Sequence, residues 1–128
     1  MCLVVWGWKV HPEYPLIFIA NRDEAYSRQT HALAPWHTTP EIYAGRDGVA
    51  QGTWAGMTAT GRFAAVTNVR RADTAHPPTA DLTSRGQLVR QFLEGRQDPA
   101  TYIARVEAEK DQYAGFNLVT GNLQQLMY

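Results

Sequence analysis

The 128 residues carry 12 basic and 12 acidic side chains and one cysteine. That length fits one domain with a sizeable core, and balanced charge leaves no electrostatic footprint for nucleic acid or an anionic membrane. A single cysteine excludes an internal disulfide framework and suits a reducing, cytoplasmic compartment, while the apolar runs are too short to span a bilayer, so a soluble intracellular protein is expected.

The chain opens on an apolar strand, Met1-Cys2-Leu3-Val4-Val5-Trp6-Gly7-Trp8. His11-Pro12-Glu13-Tyr14-Pro15 follows as a turn, because proline fixes φ and lacks the donor a strand needs. A second apolar run then ends abruptly in four polar residues, Ile17-Phe18-Ile19-Ala20-Asn21-Arg22-Asp23-Glu24. If the two runs fold back as an antiparallel hairpin, paired numbers sum to about 25. Cys2 then lies opposite Arg22–Asp23. Both runs are apolar at odd and even positions alike, which predicts strands covered on both faces.

Ala25 to Arg28 reads as a short helical turn and Thr30 to Pro40 as a long loop, with Pro35 and Pro40 among polar and aromatic residues. A short strand over Ile42 to Ala44 ends in the turn Gly45-Arg46-Asp47-Gly48. Thr53 to Thr58 and Arg62 to Asn68 form a hairpin around Thr60-Gly61, whose glycine supplies a positive φ. The small residues Ala55, Gly56, Ala64 and Ala65 predict close approach of another layer. Arg70 to Thr83, with Pro77-Pro78, is an extended connection.

Ser84 or Thr83 caps a helix whose Leu88, Val89, Phe92 and Leu93 make one apolar stripe ending at Gly95. Asp98-Pro99 starts another, with aspartate as cap and proline at the first helical position, and Tyr102, Ile103 and Val106 facing inward. Gly115 to Thr120 and Gln124 to Tyr128 form a final hairpin around Gly121-Asn122. The apolar end Leu126-Met127-Tyr128 leaves a strand edge needing a partner, and the chain reads as part of a longer protein. Strands, a helix pair and strands again give an α+β fold of antiparallel sheet with helices on one side.

Cys2 is the candidate nucleophile. Methionine ahead of a small residue is commonly removed, which places thiol and α-amine on one residue. The amine, with a pKa of roughly 7.7–8, takes the thiol proton without a separate histidine. Arg22 favours the thiolate, and Asp23 either holds the arginine or orients the ammonium. The alternative is that Cys2 is a small packed residue and that Asn21 to Glu24 form a solvated ion-pair cluster. Asn68 either donates to a developing oxyanion or closes its strand as a turn residue. Asn21, Trp54 and Arg70 are candidate substrate-binding residues, Arg70 with Arg71 gripping a carboxylate or phosphate unless the pair is simply solvated. Trp6, Trp8, Trp36 and Trp54 read as core or pocket wall. His11, His31, His37 and His76 lack metal-ligand spacing, so no metal and no obligatory cofactor is expected.

The motif Ala20-Asn21-Arg22-Asp23-Glu24 after an N-terminal Met-Cys strand resembles the NRDE family, also called the Transport-and-Golgi-organisation family. The likeness continues through Gly52-Thr53-Trp54-Ala55-Gly56, Gly61 to Arg70, Ser84-Arg85-Gly86 and Tyr113 to Leu118, nearly the whole chain. That family is similar to the N-terminal nucleophile (Ntn) hydrolases, especially choloylglycine and penicillin V acylases. The resemblance implies an αββα sandwich of antiparallel sheets, incomplete in this chain. It implies Cys2 as nucleophile, Arg22 and Asp23 beside it, and Asn68 at the oxyanion. In those acylases the arginine and aspartate are separated, whereas here they adjoin.

Two functions follow. The first is an amidohydrolase cleaving a non-peptide C–N bond of a small-molecule amide through an acyl-enzyme on Cys2. The second is a non-catalytic binding or trafficking protein for a haem- or acyl-type ligand on the same scaffold, with oligomer formation compatible with either.

Overall fold

The computed structural model describes residues 2–69 and 82–128. Its first unit is an antiparallel hairpin of β1 (Leu3–Trp8) and β2 (Leu16–Asn21), paired from Leu3↔Asn21 to Trp8↔Leu16. Each pair sums to 24, one less than the turn midpoint predicts, and continuing the register sets Cys2 opposite Arg22. The second unit is a six-stranded antiparallel sheet in sequential order. Its strands are β3 (Thr30–Trp36), β4 (Ile42–Asp47), β5 (Ala55–Thr58), β6 (Phe63–Asn68), β7 (Phe116–Gly121) and β8 (Leu126–Met127). Two helices, α1 (Gly86–Glu94) and α2 (Pro99–Ala108), intervene between β6 and β7. The described residues are thus mixed α and β with antiparallel sheets, as the α+β reading expects.

Alternation along β6 builds the layers. Ala64 and Val66 join Leu88, Val89, Phe92 and Leu93 of α1 and Tyr102 and Val106 of α2 in one buried cluster. Phe63 and Ala65 join Val119 on the opposite face, where Trp8, Leu16 and Phe18 of the hairpin pack. Helices, six-stranded sheet and hairpin therefore stack in that order.

β6 and β7 are covered on both faces; β1 and β2 are not. Leu3, Val5, Ile17 and Ile19 on the hairpin's other face are exposed, which corrects the expectation of double cover. An odd-and-even apolar run reports that both faces avoid water, but not which layers of this chain supply the cover.

A second correction concerns residues 30–40. Thr30 to Trp36 is a strand, β3, paired with β4 across a bulge between His31 and Ala34. Pro35 is tolerated because β3 lies at the sheet edge, where a missing N–H interrupts no central ladder. The Trp36 indole N–H donates to the Ala44 carbonyl at 3.0 Å, locking this edge strand to β4. Pairing with β3 also extends β4 to Asp47, so Arg46 and Asp47 belong to a strand and the turn follows them.

The helices form where their patterns predict. All four residues of the α1 stripe are buried. Arg85, not Ser84 or Thr83, occupies its N-cap position, while Thr83 bridges to Tyr113 and the Ser84 carbonyl accepts the Gln87 N–H. Asp98 caps α2 through Oδ1, which accepts from the Thr101 N–H at 3.0 Å, and Pro99 follows it. The buried Tyr102 hydroxyl donates to the Leu88 carbonyl at 2.6 Å, tying one helix to the other. Close approach comes from Gly56, where a Cβ would stand 2.8 Å from Ala44 Cβ and 3.0 Å from Leu93 Cδ1. Gly61 turns the β5–β6 hairpin with φ of 83°.

No helix among the described residues is long and apolar enough to cross a membrane.

Candidate active site

A break in the sheet makes room for the site. β5 pairs with β4 only from Ile42↔Thr58 to Ala44↔Gly56, while β4 runs on to Asp47 and β6 to Asn68. The notch between these two strand ends opens into a cleft of about 400 Å³. Cys2, Arg22, Asp23, Trp54 and Asn68 all line it. Five residues chosen from their local patterns, drawn from both sheets and the segment before β5, are therefore brought to one place. The Arg70 position lies outside the described residues, as does Met1.

Cys2 is half-buried. Its Sγ accepts from the Asp23 N–H at 3.4 Å and stands 4.0 Å from the Asp23 carbonyl. The sulfur thus meets the main chain of the Asn-Arg-Asp-Glu stretch. Asn21 is not among the cleft-lining residues: its Oδ1 accepts the Leu3 N–H at 2.9 Å, fixing the chain next to Cys2. Asn68 pairs with Phe116 at the last rung of β6–β7 and is exposed toward the cleft.

The Arg22 guanidinium lies 3.4 Å from Glu24 Oε2 and 3.6 Å from Asp47 Oδ2, and it contacts the Thr30 hydroxyl at 3.4 Å. Arg28 completes the network with Nε 2.8 Å from the same Asp47 oxygen and 4.0 Å from Glu24. Asp47 Oδ1 accepts the Val49 and Ala50 N–H groups at 2.9 and 3.0 Å. Burial alone would raise the Asp47 carboxyl, but the Arg28 hydrogen bond, those two backbone donors and the Arg28 charge hold it below the usual carboxylate range. Sequence reading missed this residue. An aspartate before glycine signals a turn, and Asp47 does close that turn, but nothing local announces that its second oxygen reaches the other sheet.

Cys2 also borders a second cavity of about 250 Å³ between the hairpin and the large sheet, lined by Val4, Trp6, Ala65, Val119, Asn117 and Tyr128 among others. Trp6 and Tyr128 face each other there with ring centroids 5.8 Å apart. The thiol therefore stands between a charged cleft and a largely apolar slot. Opposite the hairpin, the start of α1 closes the cleft: a Cβ on Gly52 would stand 2.6 Å from the Gly86 carbonyl carbon, so only glycine lets the two segments touch. The Thr53 N–H donates to the Gly86 carbonyl across this contact.

The family model for Transport and Golgi organisation 2 matches residues 1–128. The chain belongs to that family. The Transport and Golgi organization protein 2 homolog of Bos taurus is 35% identical over 96% of this chain and 46% of its own length. The Homo sapiens homolog of the same name is 36% identical over the same shares. An uncharacterized protein of Saccharomyces cerevisiae is 35% identical over 73% of the chain and 31% of its own length. The chain thus spans about half the length of the curated relatives it matches in cattle and humans. His31 and His37 line neither cavity, and no group of three or more His, Cys, Asp or Glu side chains among the described residues is placed to hold a metal ion.

Proposed function

We propose that this domain is the first part of an Ntn-type αββα sandwich and that Cys2, freed by removal of Met1, is the nucleophile of an amidohydrolase acting on a non-peptide C–N bond. The observation that carries the reading is the position of the sulfur: it accepts the Asp23 N–H, borders both cavities, and shares the cleft with Arg22 and Asn68.

The freed α-amine takes the thiol proton and the thiolate attacks the amide carbonyl. Negative charge then develops on the carbonyl oxygen, where the Asn68 amide donates. Collapse of the tetrahedral adduct breaks the C–N bond, with the ammonium proton passing to the departing nitrogen. The thioester left on Cys2 is hydrolysed by water, whose proton the α-amine receives and returns to sulfur as the carboxylic acid leaves. The slot beside Val4, Trp6 and Tyr128 takes the acyl part, and the charged cleft takes the amine part. The single cysteine fits a cytoplasmic setting.

An acyl-ligand carrier would use the same slot without turnover, and the two readings separate at the N-terminus. Intact mass after iodoacetamide is expected to show Met1 absent and one adduct, on Cys2. One alanine added ahead of Cys2 should remove hydrolysis of acyl-amide substrates by at least about a hundredfold, the range of a lost general base. Retention of Met1 on the purified protein overturns the catalytic reading and leaves the carrier. The haem form of the carrier is tested by spectral titration of His31→Ala/His37→Ala against the parent chain; spectra unchanged by haem addition would sink it.

A further inference from the structure

We infer that Asp47 is a positioning residue for Arg22: a fixed carboxylate from the large sheet that holds the guanidinium of the hairpin in place beside Cys2. This rests on the reading of Cys2 as the reactive thiol and assigns a role to a residue that the chemistry above does not use.

The case is geometric. Arg22 follows the last residue of β2 and its side chain is only 20% exposed, so its direction is set by partners and not by solvent. Glu24 and Asp47 both reach it. Glu24 is two residues away on the same exposed segment, and one of its oxygens is engaged by the Ala25 N–H at 3.0 Å. Asp47 is different in kind. It ends β4, its side chain is 16% exposed, and its Oδ1 is pinned by two backbone N–H groups. Two backbone donors on Oδ1 and the Arg28 bond on Oδ2 restrain both ends of the carboxylate, against one backbone donor on Glu24, so Oδ2 presents a held acceptor to Arg22. Charge pairs in such partly buried settings are screened less by salt than surface pairs. The same contact joins the two sheets at the edge of the cleft, so the placement of Arg22 depends on the large sheet as well as on the hairpin.

The test exploits the sole cysteine. Iodoacetamide is neutral and iodoacetate is anionic, so the ratio of their alkylation rates at Cys2 reports local positive charge, which general loosening of the fold would not move selectively. Arg22→Gln is expected to lower the iodoacetate-to-iodoacetamide ratio roughly fivefold. Asp47→Asn removes a negative charge, which by simple Coulomb attraction would raise the ratio. Release of Arg22 predicts the opposite, a fall approaching that of Arg22→Gln. Asp47→Glu should restore part of the parent ratio, and Asp47→Asn added to Arg22→Gln should produce no further fall. A ratio that rises or holds in Asp47→Asn, or an additive double variant, overturns the inference. Should Asp47→Asn fail to fold, Asp47→Glu decides, because it keeps the charge and moves the acceptor: a ratio between those of the parent and Arg22→Gln supports the assignment, and a ratio equal to the parent's overturns it. Failure of the nucleophile reading registers separately, as a Cys2 that iodoacetamide does not label in the parent chain.

Discussion

The two faces of the large sheet are covered in very different ways. On the helix side, Val89, Phe92, Leu93 and Ile42 have no exposed surface, and the cluster draws on both helices and strands β3, β4, β6 and β7. On the other side only one face of a two-stranded hairpin is used, and its outer face leaves Leu3 62% and Ile19 67% exposed. Burial of a large apolar side chain is worth about 1.5–3 kcal/mol, so the helix side carries most of the folding energy. The candidate site lies elsewhere: Cys2, Arg22 and Asp23 belong to the lightly packed hairpin and its exit. The well-packed half acts as a base against which the thiol is held, and the geometry of the candidate site depends on the few contacts that dock one half on the other.

The largest effect should follow from breaking the base itself. Phe92 meets the Tyr102 ring edge-on with centroids 5.1 Å apart and has the Arg62 guanidinium 4.0 Å from its ring centre. Phe92→Ala leaves a cavity there and is expected to cost about 3–5 kcal/mol by denaturant unfolding. A loss below about 1 kcal/mol would mean that the helix layer is not the seat of stability. Gly52→Ala comes next. The added carbon would press on the Gly86 backbone, which cannot rotate away as a side chain can, and the expected loss is about 1–3 kcal/mol. Because Gly52 and Gly86 touch beside the cleft, the same variant should also slow iodoacetamide capture of Cys2 if the cleft wall shifts.

The same division explains what could be read from sequence. The α1 stripe and the Asp98-Pro99 start of α2 depend on neighbours within a few residues, and the hairpin register on one fold-back between adjacent apolar runs, so local pattern carries them. The cleft composition followed because Arg22 to Glu24, Trp54 and Asn68 each mark the end or start of an apolar strand, and such ends gather where the sheet is notched. β3 was hidden because Pro35 and the Pro40 segment with His37, Thr38 and Thr39 look like loop; its pairing depends on β4 and on the Trp36 indole bond to Ala44. Asp47 was hidden for a related reason. Its turn role is local and legible, whereas its grip on Arg22 and Arg28 joins segments about twenty residues apart across two sheets.

A smaller effect is expected where the two halves are tied by charge. The Asp47 carboxyl is held below its ordinary value in the folded protein, so the folded state binds fewer protons there than the unfolded state. Its contribution to stability is therefore complete above the unfolded carboxylate range, about pH 4, and is lost as pH falls through the lower folded value. Unfolding midpoints of the parent chain should fall toward those of Asp47→Asn as pH drops below about 4, the two curves converging in acid and separating at neutral pH. Curves that stay parallel throughout would show that the carboxylate ties nothing together.

The smallest effect should come from the hairpin's outer face, and its smallness is the informative part. Ile19 is two residues from Asn21 on the strand that delivers Arg22, yet its side chain points away from the large sheet and is 67% exposed. Were the hairpin stabilised through both faces of this chain, Ile19→Ser would cost as much as a core truncation. With the outer face open, little buried area is lost, and surface substitutions of this kind change stability by about 0.5 kcal/mol or less. Phe18→Ser, on the inward face that packs against Phe63, Ala65 and Val119, should cost several times more although it is the adjacent residue. Equal losses at positions 18 and 19 would require a second cover over the hairpin and would erase the asymmetry between the two halves.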